Sequence, residues 1–286
     1  MLDPEIPVTM QAAMVRLQKS VASGFLFYVH GEVPASKIEK LVYTLDERFS
    51  LQATDGQRDH ARKHGRCTFR LHVFPIPYRK DFAFWLVRNA GDHPLLATER
   101  WRDSREDPIR WTFWYELRQL PVPSALREKY KRPDQHFAIN ATTWTWRIRR
   151  DVMDHARFNI RRWVEQRDER LTRLIRSLAY APGRRGIRHD VHELHRYILA
   201  QCRKRGAAPP PPLPVIRWST GTGGRTVPLS YLLTRWRRGA DTWFPQSLQR
   251  RDTVHEPIAL DVPHQRLENS DAASQTGSEG PPQTHG

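Results

Sequence analysis

The chain has 286 residues, 38% of them hydrophobic and 10% aromatic, enough for one sizeable packed core with appendages. A net charge of +16 and a pI near 10.5 argue against cationic partners and favour polyanions, through a long-range field and counterion release. Two cysteines, Cys67 and Cys202, are too few for a disulfide framework or a four-thiolate zinc site.

Residues 1–23 are acidic early and lack a basic segment followed by an apolar block. They read as an N-terminal arm rather than a signal peptide, and a reducing cytoplasm is the expected compartment. Residues 24–33, "GFLFYVHGEV", read as a buried strand. A helix is expected over 36–49, where Ile38, Leu41, Val42, Leu45 and Phe49 form one stripe and Ser36 with Glu39 has capping-box spacing. Residues 52–66 are polar and basic and read as a loop. "CTFRLHVF" (67–74) alternates, with Cys67, Phe69, Leu71 and Val73 on one side and Thr68, Arg70 and His72 on the other. "DFAFWLVRN" (81–89) is a further short strand. "IRWTFWYELRQL" (109–120) alternates as a single strand, with Trp111, Phe113, Tyr115 and Leu117 facing one way.

"TWTWRI" (143–148) places Trp144, Trp146 and Ile148 on one strand face, and their size marks them as core. From Val152 the period turns helical, and a continuous stripe runs through Ile160 and Trp163 to Leu178. "APGRRGIR" (181–188) reads as a glycine loop. A second helix is expected over 190–206, opened by an Asp190/Glu193 capping box and stopped by Gly206. Residues 207–214 are a proline-rich linker. Residues 215–245 form a small C-terminal appendix with a helix begun near Pro228. Residues 246–286 are a polar tail expected to be disordered. The body, 24–206, is therefore expected to be α+β: a mostly antiparallel sheet of four to five strands with helices on one face.

The arginine bias carries the functional reading. Only eight of the 47 Lys+Arg residues are lysine, and arginine offers a planar fork for phosphates and base edges. The arginines within the helix that follows Val152 share their face with Asp154, Glu165 and Glu169, so that face reads as self-neutralised. The flanks differ. Arg147, Arg149 and Arg150 precede the helix with only Asp151 nearby, and Arg184, Arg185 and Arg188 follow it with no acid before Asp190. These six are the expected phosphate contacts, and the glycine loop leads into a helix N-terminus that favours anions. His189, His192 and His195 recur every third residue, but HEXXH is absent, and neither a metal nor any other cofactor is expected. "STGTGGRT" (219–226) lacks the ending of a phosphate loop and reads as a turn.

"FRLHVF" resembles the metal-binding strand of HUH nucleases, the replication initiators and relaxases. The resemblance implies a histidine pair on a strand and a helix-borne tyrosine, here His72 and Tyr197. The pair is incomplete, because His72-Val73 is followed by Phe74. More broadly, "ELRQLPVPSALREKYKRPD", "TWTWRIRRDV" and "GIRHDVHELHRY" resemble accessory proteins of bacterial plasmids and integrative conjugative elements, over about residues 24–205. That resemblance implies a DNA-binding role on a mobile element and carries no catalytic residue. Three functions are expected in order: a non-enzymatic nucleic-acid-binding accessory protein, a diverged HUH-like nuclease, and a scaffold or inhibitor of an acidic protein partner.

Overall fold

A computed structural model describes residues 2–111, 114–129, 141–213, 224–245 and 247–248. In chain order they form β1 (Glu5–Pro7), α1 (Met10–Ala22), β2 (Phe27–Pro34), α2 (Ile38–Phe49), α3 (Asp55–Lys63), β3 (Phe69–Pro75), β4 (Asp81–Arg88), β5 (Arg102–Asp103), β6 (Ile109–Trp111), β7 (Tyr115–Pro121), α4 (Ser124–Lys129), β8 (Thr142–Ile148), α5 (Arg150–Gln166), α6 (Arg170–Leu178), α7 (Arg185–Lys204), β9 (Thr226–Pro228) and α8 (Leu229–Arg237). The fold is α+β, and every pairing between these strands is antiparallel. The strands fall into three sheets, β3-β4-β2-β5, β6-β7-β8 and β1-β9, rather than one. Short connections account for the antiparallel β3–β4 and β6–β7 pairs, which follow one another within a few residues.

The run 109–120 is not one strand. It folds back as the β6–β7 hairpin, with Ile109 opposite Leu117 and Trp111 opposite Tyr115. Directly opposed residues share a face, so the alternation survives the reversal and hides it. All four side chains are buried. Phe113 lies outside the described residues.

The segment read as an N-terminal arm lies inside the fold. Thr9 caps α1 by accepting from the Ala12 amide at 3.2 Å, and Met14, Leu17 and Val21, spaced by three and four, are fully buried. This helix bridges two sheets: Trp146 of β8 donates its indole N–H to the Met14 carbonyl at 3.0 Å, and Gln18 donates to the Trp144 carbonyl at 2.9 Å. Beside it, Trp85 of β4 stacks on Trp111 of β6 at 4.4 Å and 11°, and Trp111 meets Trp146 edge-on at 6.0 Å. Offset stacks and edge contacts of this kind add to area burial, and they hold the four- and three-stranded sheets in one core.

Much of the C-terminal appendix also joins that core. β9 pairs with β1, Asp3 accepts from the Ser230 amide and hydroxyl at the start of α8, and Leu232 and Leu233 are fully buried. Of the segment 219–226 read as a turn, residues 219–223 lie outside the described residues, as does the tail apart from 247–248, while Thr226 begins β9.

Four local expectations change. The polar stretch 52–66 holds helix α3, opened by a Thr54/Gln57 capping box and burying no side chain. Ser36 and Glu39 do not cap α2: its N-cap is Lys37, reached through a turn in which the Lys37 amide donates to the Pro34 carbonyl, while Glu39 pairs with Arg237. The helical stripe breaks at Arg167, which adopts φ 52° and separates α5 from α6. Asp190 is not an N-cap, because α7 starts five residues earlier at Arg185.

Candidate nucleic-acid interface

The two arginine flanks meet where β8 passes the first turns of α7. β8 delivers Arg147 to the first turns of α7, and Gly186 lets the two approach. A Cβ on Gly186 would lie 2.4 Å from the Trp146 carbonyl oxygen and 2.8 Å from Cγ of Arg147. The Gly186 amide donates to the buried Thr145 hydroxyl at 3.1 Å. The two flanks are therefore one junction, not two separate surfaces.

Within it, most donors are already engaged. Arg147 forms a two-pronged pair with Asp190, its Nε lying 3.0 and 3.2 Å from the two carboxylate oxygens. Asp190 is fully buried and also accepts from the Ile148 amide at 2.9 Å. Hydrogen bonding to Asp190, offset by partial burial, holds the Arg147 guanidinium above its ordinary pKa. Arg149 pairs with Asp151 at 2.5 Å and is largely buried. Arg185 donates to the carbonyls of Pro121 and Leu120 at 2.8 and 3.4 Å, closing the end of β7. Arg184, at the N-cap of α7, is half-buried; its Nε and Nη2 meet no acceptor among the described residues, and burial lowers its pKa. Arg188 is partly buried one turn along. Of the six, only Arg150 is open to solvent, 93% exposed with Asp154 at 3.9 Å.

The acid-poor flanks are thus a property of the sequence, not of the fold. Asp190, counted as the acid that ends the second cluster, is the partner of the first. His189 lies beside it, with Nδ1 3.6 Å from Oδ1, and Glu193 lies 3.9 Å from Arg157. His189, Asp190 and Glu193 could present ligand atoms to a cation, but Asp190 is saturated by Arg147 and the Ile148 amide, so a cation would have to displace them. His189 is part of α7 rather than preceding it, with His192 exposed and His195 partly buried on the same helix.

Cations without partners among the described residues include two on the outer face of α5. Salt bridges at Arg147–Asp190, Arg157–Glu193 and Glu165–Arg205 advance together, so α5 and α7 lie side by side in the same direction. Two acids of α5, both exposed, are already paired with other arginines. Asp154 accepts from Arg157 at 3.2 Å, and Glu165 from Arg205 at 2.8 Å. Arg161 and Arg162 are exposed and hold no ion pair or hydrogen bond among the described residues. No ion pair joins Glu169 to Arg173 either, although their spacing allows one. Phe158, one turn before Arg161 and Arg162, is 55% exposed. Arg150 opens the same face two turns earlier. Phe158, Arg161 and Arg162 were missed because the face was judged by its acid count. The available signal was the aromatic on the polar side of the stripe, followed by basic residues three and four positions on.

The HUH-like pair is not assembled. His72 hydrogen-bonds Ser20 of α1 at 3.0 Å, and burial, with Arg70 and Arg16 nearby, pushes it down to about 3. Phe74, at the second histidine position, is buried against Trp111. Tyr197 lies on α7, packed against the core. No family model, curated protein or solved structure matches this chain. Among the described residues no helix is long and apolar enough to cross a membrane.

Proposed function

We propose that the chain is a nucleic-acid-binding protein, for DNA in the first instance, acting without catalysis through the outer face of α5. The observation that carries this reading is the exposed Phe158 with unpaired Arg161 and Arg162 one turn on. An exposed aromatic gives a base a stacking platform, worth about 1–3 kcal/mol per base. Two guanidiniums beside it match phosphates and release counterions. The net charge of +16 draws a polyanion toward the face. Arg150 extends the contact. The resemblance of the body to accessory proteins of plasmids and conjugative elements supports a place on a mobile element. Two free, buried cysteines accord with a reducing cytoplasm.

Titration of duplex and single-stranded oligonucleotides at several salt concentrations tests the reading. Binding with a negative log–log salt slope supports it. No binding at low salt removes it and favours an acidic protein partner for the same arginines. Strand cleavage with added Mn²⁺, lost in a Tyr197→Phe variant, would favour the nuclease reading instead.

A further inference from the structure

A second cluster of arginines surrounds a cavity lined by α1, α3 and β3. The cavity has a volume of about 350 Å³ and lies between β1, α1, α3 and β3. That size is in the range of small-ligand sites, about 300–1,000 Å³. Arg16 enters it from α1, Arg58 from α3 and Arg70 from β3, with His72 beside Arg70 and apolar walls from Leu51 and Val73.

The three guanidiniums are only partly satisfied. Arg16 donates one Nη to the Glu5 carbonyl at 3.0 Å. Arg58 reaches the Leu51 carbonyl at 2.9 Å and Asp55 at 3.2 Å, but its buried Nε has no acceptor. Arg70 lies over the Phe25 ring at 4.4 Å and makes no hydrogen bond or ion pair among the described residues. The acids at the cavity sit at its rim. Asp55 is 89% exposed, and Glu5 is exposed too. Arg70 is depressed by burial and then by Arg58, with Asp55 opposing and Arg62 adding to the effect. His72 feels Arg70 and Arg16. Like charges gathered in a partly desolvated pocket cost free energy unless an anion offsets them.

We propose that this cavity is a phosphate-binding site, in which Arg70 and Arg16 receive the anion and Arg58 backs it. Arginine suits the role because its planar fork matches phosphate oxygens two at a time. The neutral imidazole of His72, already hydrogen-bonded to Ser20, can share a proton with a phosphate hydroxyl or oxygen according to its tautomer. The apolar wall leaves room for the organic part of a phosphate monoester. The anion therefore has two possible sources, a free phosphate or phosphate monoester and the 5′-phosphate of a nucleic-acid end. The site does not depend on the α5 face.

The test uses the full chain with inorganic phosphate as the first probe, at ionic strength held constant with chloride. Trp111 lines the cavity, so intrinsic fluorescence and the thermal midpoint both report on it. The expected result is a saturable response in the wild type and in Arg161→Gln/Arg162→Gln. Arg70→Gln should weaken it roughly ten- to a hundredfold, the scale of one charged hydrogen bond. Arg16→Gln supplies an independent variant should loss of the Phe25 contact unfold Arg70→Gln. Oligonucleotides with and without a 5′-phosphate form the second arm. A preference for the phosphorylated end that vanishes in Arg70→Gln assigns the source to nucleic acid, and a response to inorganic phosphate with no such preference assigns it to a free phosphate. No saturable response to either probe, or a response unchanged in both Arg70→Gln and Arg16→Gln, overturns the proposal.

Discussion

The β8–α7 junction and the outer face of α5 both carry arginines, opposite in what those arginines do. At the junction, Arg147, Arg149 and Arg185 spend their donors on Asp190, Asp151 and the carbonyls ending β7. On α5, Arg161 and Arg162 meet none. Linear sequence suggests the reverse, because the junction arginines have few acids near them in the chain while α5 carries Asp154 and Glu165. Topology supplies the missing acid from 43 positions away, while on α5 Asp154 and Glu165 stay exposed and pair with Arg157 and Arg205 rather than with Arg161 or Arg162. Whether an arginine is structural or available is decided by what the fold brings to it.

The largest expected effect belongs to the junction. Asp190→Ala leaves a half-buried Arg147 and the Ile148 amide without their acceptor. Breaking a buried pair from one side costs about 3–5 kcal/mol, toward the lower end here because Arg147 keeps some solvent contact. Urea denaturation should show the loss, and a change below about 1 kcal/mol would mean that the junction does not stabilise the fold. Next is Gly186→Ala, whose new methyl must push β8 and α7 apart; overpacking of this kind costs about 1–3 kcal/mol. The same assay checks it, and a neutral result would contradict the close approach.

On α5 the expected effects move from stability to binding. Phe158→Ala should weaken single-stranded DNA binding by about 1–3 kcal/mol if a base stacks there. It should leave the denaturation midpoint nearly unchanged, because the ring is more than half exposed. Equal loss of stability and binding would place Phe158 in the fold instead.

A smaller, pH-dependent effect separates the junction from the rest of the core. His72 is held down, chiefly by burial, from 6.5 to about 3. The folded state then binds the proton less readily than the unfolded state. The stability contributed by neutral His72 is complete above about 6.5 and is lost progressively as pH falls from there toward 3. Thermal midpoints between pH 7 and 4 should fall less steeply in His72→Gln. An unchanged slope would assign the acid sensitivity to other groups.

These contrasts also show what was legible in the sequence. The α+β class, β2, β3, β4, β8 and α2 followed from period and length, because each buries one face against a core. Burial of Trp144, Trp146 and Trp163 followed from their positions in those stripes. Helix α1 was obscured because its apolar residues were weighed only as a possible leader, although Thr9, Met14, Leu17 and Val21 carry the signal of a capped amphipathic helix. The β6–β7 reversal was hidden by its own symmetry. The pairings of β1 with β9 and of Arg147 with Asp190 are long-range, and no local pattern encodes them. The candidate contact residues suffered most from this, since charge availability is a tertiary property.

The most direct measurement is the salt dependence of DNA binding in two double variants of equal charge. Arg161→Gln/Arg162→Gln should lower the log–log slope by up to about 1.8, since each phosphate contact contributes about 0.9 on duplex DNA, with the denaturation midpoint unchanged. Arg147→Gln/Arg185→Gln should lower the midpoint and leave the slope of the folded protein within about 0.5 of wild type. A slope lost in the junction variant and kept in the α5 variant would contradict the account.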